Sequence, residues 1–171
     1  MRLAIRSAGQ IRRSLFHEGW HGPAIFEVLR DVDGDMAATV TPVSRHSIWA
    51  LVRHMRTWQD IGLEALSGKA MPAQEISEKI GWEPFMDVSE QAWRLELARF
   101  RESGDKLSQR AASMDDKKLN EQVPGRAYDF GHMLLGIASH NTYHCGQIVL
   151  LHRYLYIQRE EMVAVREAGK R

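Results

Sequence analysis

From about Tyr128 to Tyr156 the chain runs without a proline. Leu134, Ile137, Asn141, His144, Ile148, Leu151 and Leu155 recur there at intervals of three and four. That is the period of a helix with one face turned inward. Three further segments repeat the pattern. Leu3 to about Glu18 carries Leu3, Ile5, Ile11, Leu15 and Phe16. Ile48 to Leu66 carries Ile48, Leu51, Val52, Met55, Trp58, Ile61 and Leu66, with Ser44 or Ser47 placed to cap its N-terminus. A stretch from about Ser89 to Ala112 buries Trp93, Leu97, Phe100 and Leu107. No segment shows sustained strand alternation, so the pattern predicts an all-α four-helix bundle with long interhelical connections.

Breaker residues mark the links. Gly19, Gly22 and Pro23 end the first helix, and a short helix is expected from Pro23 to Leu29 or Arg30. The polar run 31–35 follows, then a helical turn at Met36–Ala38. Residues 67–86 form a long connection in which Trp82, Pro84 and Phe85 are expected to pack onto the bundle. Asp115–Gly125 reads as a solvated linker, and Gln158–Arg171 as a fraying helix or charged tail. At this length, residues 1–171 fit a single domain.

Charge excludes several functions. A net charge of +1, with no block of lysines and arginines, gives no footprint for nucleic acid. No run of 18 apolar residues exists, so no membrane span is expected. The N-terminal residues lack the apolar core of a secretory signal. A single cysteine, Cys145, rules out an internal disulfide and suits a reducing compartment, so a cytoplasmic protein is expected.

His140 and His144 stand four residues apart in the longest helix. Their side chains differ by about 40° around the axis after one full turn, so both project from one face. A helix presents two nitrogen ligands to one metal ion in this way. A third must come from elsewhere, and His54, midway along the second long helix, is the candidate. Neutral imidazole suits Zn²⁺, Ni²⁺, Fe²⁺ and Mn²⁺, and three protein ligands leave positions open for water or substrate. Asn141, Tyr143 and Gln147 are near enough to orient the ligands, although helix packing is the favoured role for Gln147.

The remaining candidates have plainer roles. His46 belongs to the helix entry and His21 to the turn. His132 lies about 80° round the helix from His140, within reach of the same pocket. His152 is about two turns beyond His144, too far along the axis for the same ion. Cys145 points about 100° away from its neighbouring histidine and reads as a small buried thiol. Trp49 and Trp58 read as core or pocket wall.

The combination Gly19-Trp20-His21-Gly22-Pro23, His46-Ser47-Ile48-Trp49 leading to His54, and Ser139-His140-Asn141-Thr142-Tyr143-His144-Cys145-Gly146-Gln147-Ile148 resembles the DinB/YfiT-like superfamily. The resemblance spans nearly the whole chain. It implies a four-helix bundle in which His54, His140 and His144 bind one divalent metal ion, and it makes a homodimer the expected assembly. Relatives of this kind include transferases and isomerases that use a low-molecular-weight thiol such as bacillithiol, mycothiol or glutathione. The implied function is a metal-dependent thiol transferase acting on a small-molecule substrate. Two alternatives stand beside it. One is a metal-dependent hydrolase that activates water, with Asp60, Glu64 and Asp129 as available acids or bases. The other is a non-catalytic metal-binding or stress-linked dimer.

Overall fold

In the computed structural model, residues 3–17, 19–20, 22–73 and 79–168 are described. The apolar period becomes four long helices: α1 (Leu3–Phe16), α4 (Ile48–Leu66), α5 (Glu90–Ser113) and α7 (Phe130–Ala168). Short helices fill the links. These are α2 (Ile25–Val28), extended by a 3-10 turn at Leu29–Asp31, then α3 (Gly34–Ala38) and α6 (Asp116–Leu119). Ser47 caps α4, its hydroxyl accepting from the Ala50 amide, while Ser44 bonds locally to His46. Ser89 caps α5 in the same manner.

Side-chain pairings fix the direction of each helix. Arg12 meets Asp105 and the Ser108 hydroxyl reaches the Ala8 carbonyl, so α1 and α5 run antiparallel. Arg56 meets Glu96 and Asp60 meets Ser103, so α4 and α5 run parallel. His54 faces His140 and His144 while Gly62 faces Ile137, which makes α4 and α7 antiparallel. Ser14 meets Asn141 and Leu3 approaches Gly131, so α1 and α7 are parallel. Each long helix thus has two long neighbours. The enclosed core contains Ile11, Leu15, Trp49, Met55, Trp93, Phe100, Leu107, Leu134 and Ile148. Gly62 permits the close approach of α4 and α7, since a Cβ there would stand 2.6 Å from Ile137 Cδ1.

Parallel neighbours demand a crossover, because the chain leaving the end of α4 must return to its start before α5 begins. The connection between Leu66 and Glu90 does this, and its second half lies against α4. Trp49 contacts Phe85 with ring centroids 5.0 Å apart. The Arg53 guanidinium covers the Phe85 ring at 3.7 Å and donates to the Glu83 carbonyl. Behind Arg53, the buried Glu96 carboxylate accepts from Arg56 at 2.6 Å. Of the residues expected to pack onto the bundle, Trp82 and Phe85 do so and Pro84 is exposed.

Several expectations need correction. Asp115–Gly125 is not simply a solvated linker: it holds α6, and Leu119 and Val123 are fully buried. Glu96, which the apolar pattern does not single out, lies on the buried side of α5, where Arg53 and Arg56 compensate its charge. For the charged C-terminal stretch the helical alternative is the one observed: α7 continues to Ala168, and residues 169–171 lie outside the described residues. Glu18 and His21, assigned to the end of the first helix and the following turn, lie outside the described residues.

Candidate metal centre

Three imidazoles converge where the middle of α4 faces α7. His140 Nε2 lies 3.1 Å from His54 Nε2 and 3.0 Å from His144 Nε2. The three candidate ligand atoms all fall within 4.8 Å of one another. His54 and His144 are buried, and His140 is half-buried. Among the described residues, no acidic side chain or cysteine joins this cluster.

Two rings are oriented from behind. His54 Nδ1 lies 2.8 Å from the Ile80 carbonyl oxygen, which can only accept, so Nδ1 carries the proton and the Nε2 lone pair faces the cluster. His144 Nδ1 lies 2.7 Å from Gln147 Oε1, and in that amide orientation it too donates from Nδ1. Gln147 therefore acts on His144 rather than serving as ordinary helix packing. His140 Nδ1 is buried without a hydrogen-bond partner.

The crossover supplies the outer wall of the cluster. Gly81 adopts φ +82°, and a Cβ there would stand 2.8 Å from the His54 Cα. This brings the Ile80 carbonyl against His54 and lays Trp82 over its ring, with centroids 4.0 Å apart and planes 15° apart. His46 stacks on Trp82 at 3.8 Å. His46 is thus part of the wall, and the helix-entry role expected for it is only half of what it does. Trp58 meets both His54 and His140 edge-on.

Burial keeps these rings neutral. It lowers the pKa of His54 to about 4 and that of His140 to about 3, and it lowers that of His144. Neutral rings alone do not satisfy the two short nitrogen contacts. A protonated His140 Nε2 donates to one neighbour only, and the lone pair of the other then faces a nitrogen with no hydrogen to offer it. Reversing the Gln147 amide lets His144 donate to His140 but leaves the His54 contact unsatisfied. A cation between the three lone pairs resolves both contacts, so the residues present fit a divalent ion.

Other candidates are engaged elsewhere. Asp60 accepts from Arg56 and Ser103, Glu64 pairs with Lys69, and Asp129 caps α7 by accepting from the His132 amide. Cys145 is buried, its Sγ 3.5 Å from the Pro23 carbonyl oxygen, and burial pushes its thiol up to about 11. Trp49 is core, whereas Trp58 and His132 border a cleft of about 230 Å³ that reaches His140. His152 is not in the cluster. Sequence reasoning missed Ile80, Gly81 and Trp82 as supports of the site, and the only available signal was a Gly-Trp pair in a connection expected to pack.

No helix among the described residues is long and apolar enough to cross a membrane. No curated protein and no solved structure matches the chain. A family model described as the DinB superfamily matches residues 19–148, a span that includes all three clustered histidines. The chain belongs to the DinB superfamily.

Proposed function

We propose that this protein is a metal-dependent transferase that joins a low-molecular-weight thiol to an electrophilic small molecule. His54, His140 and His144 hold one divalent ion. The observation that carries the reading is the convergence of three neutral Nε2 atoms, two of them oriented by hydrogen bonds at Nδ1. A divalent ion held by three imidazoles lowers the pKa of a bound thiol or water and so supplies a nucleophile near neutral pH. In the net reaction a carbon–sulfur bond forms and the bond from that carbon to the leaving group breaks. The leaving group departs with the electron pair, and the thiol proton balances its charge.

The chain's own residues prepare this chemistry. The Ile80 carbonyl and Gln147 fix the rings of His54 and His144, while Trp82 and Trp58 pack against the His54 ring. A thiol is favoured over water as the nucleophile because Asp60, Glu64 and Asp129 are committed elsewhere. A thiol, with an unperturbed pKa of about 8.5, needs far less help to ionise than water does. Cys145, held as a buried thiol, is not the sulfur donor. The sulfur must arrive on a small molecule of the bacillithiol, mycothiol or glutathione kind.

The test begins with metal content. Untagged protein purified without added metal is expected to carry close to one divalent ion per chain, and His144→Ala to carry little. Thioether formation from bacillithiol, mycothiol or glutathione and the alkylating probe monochlorobimane should then exceed the rate of the variant with at least one thiol. Absence of metal that persists after add-back sinks the reading.

A further inference from the structure

The cleft beside the cluster has a definite chemical character. Trp58, Met71, Tyr128, His132, Met133, Gly136, Ile137 and His140 line it, and none of these is an acid, a lysine or an arginine. The Tyr128 hydroxyl is directed to Met71 Sδ at 3.4 Å, and the Tyr128 ring stacks on His132 with centroids 5.0 Å apart. Both aromatic groups are thus held within the wall. At about 230 Å³ the cleft exceeds the roughly 150 Å³ that accepts a benzene molecule in an apolar cavity.

Gly136 is among the residues that line it, one turn before His140 on α7. A glycine inside a helix costs about 1 kcal/mol relative to alanine. Nothing in the fold requires it here. Its backbone is helical without positive φ, and a Cβ built on it meets no atom within 4 Å. Gly9 and Gly146 are equally uncrowded but do not line this cleft. What the missing side chain leaves is open space over the helix backbone, in a cleft that His140 also lines.

We propose that this cleft binds an uncharged, apolar, ring-sized group of the electrophilic substrate, and that Gly136 sets its size limit. The inference rests on the transferase reading for the identity of the bound group as the electrophile. The charged portion of a cofactor thiol finds no partner in this lining, which leaves the cleft to the second reactant. Any side chain longer than a methyl at position 136 would occupy the space the ring needs while leaving the three histidines in place.

The test compares two probes of one shape, benzyl alcohol and benzylammonium. Their binding to the zinc-loaded full chain, and to the metal-free chain, is followed by quenching of tryptophan fluorescence and by ligand-observed NMR. Benzyl alcohol is expected to bind both forms at least tenfold more tightly than benzylammonium. Gly136→Leu, which raises helix propensity, should weaken benzyl alcohol at least tenfold, and Gly136→Ala by less, with zinc content unchanged in both. Equal binding of the two probes to the native protein overturns the proposal, whatever the variants do. Undiminished binding to a folded Gly136→Leu protein also overturns it. Zinc content on the same samples separates the two ideas: selective binding by a protein that never holds metal defeats the metal reading alone, and full metal with no selectivity defeats this one alone.

Discussion

The ring of His140 has a neighbouring nitrogen on two sides and none of the partners that orient the other two rings. Its position is set by helix geometry, through the four-residue spacing to His144, whereas His54 and His144 depend on Ile80 and Gln147. Loss of a group that orients a metal-bound histidine typically weakens metal affinity roughly 10–100-fold. Gln147→Leu is therefore expected to raise the zinc dissociation constant by about that factor, measured by chelator competition, while the fold stays intact by circular dichroism. Acid should act on the metal-free protein with a definite sign. His54 and His140 have folded pKa values of about 4 and about 3, below the 6.5 of the free side chain. Between these limits the unfolded chain binds more protons, so stability is lost as pH falls below about 6.5 and this contribution levels off once pH passes below about 3. Urea midpoints across that range check the slope, and a flat profile would contradict the burial of these rings. The i, i+4 pair was legible in the sequence because helix periodicity alone places both rings on one face. Gln147 was not, since an amide three residues on is equally placed to pack or to accept a hydrogen bond.

At the scale of elements, the parallel pair α4 and α5 is tied through Glu96, which accepts from Arg56 at 2.6 Å while Arg53 stands at 3.9 Å. The Glu96 side chain is 7% exposed and that of Arg56 22%, so the pair lies between buried and surface behaviour. Glu96→Gln should cost about 2 kcal/mol in urea unfolding, because both arginines lose their shared anion. Ser47→Ala should cost about 1 kcal/mol through the lost cap on α4. The four long helices could be read from the sequence, and α4 agrees with its expected limits, since its period is clean and its cap is a serine. The short helix α6 was hidden because Leu119 alone marks its buried side within a polar run. Glu96 was hidden for a related reason: a charge on an apolar face carries no local sign that arginines on another helix will meet it.

For the whole molecule, the parallel pairing of α4 with α5 obliges the chain to cross the outside of the bundle between them. The sequence showed the length of that connection but not its course, because its docking depends on contacts between segments distant in the chain. Gly81, Trp82 and the Arg53–Phe85 contact hold the crossover against α4, over one edge of the histidine cluster. Non-helical residues such as 79–89 open locally at lower free energy than the helices they cover. A bound ion held by His54 would then leave and enter on the timescale of crossover opening, not of global unfolding. Trp82→Ala should speed zinc transfer to a fluorescent chelator by more than it weakens equilibrium affinity, whereas Gln147→Leu should lower affinity without that excess. If an ion is held there, the strap along α4 would set a kinetic rank for the protein among competing metal acceptors, because it would govern how quickly that ion exchanges.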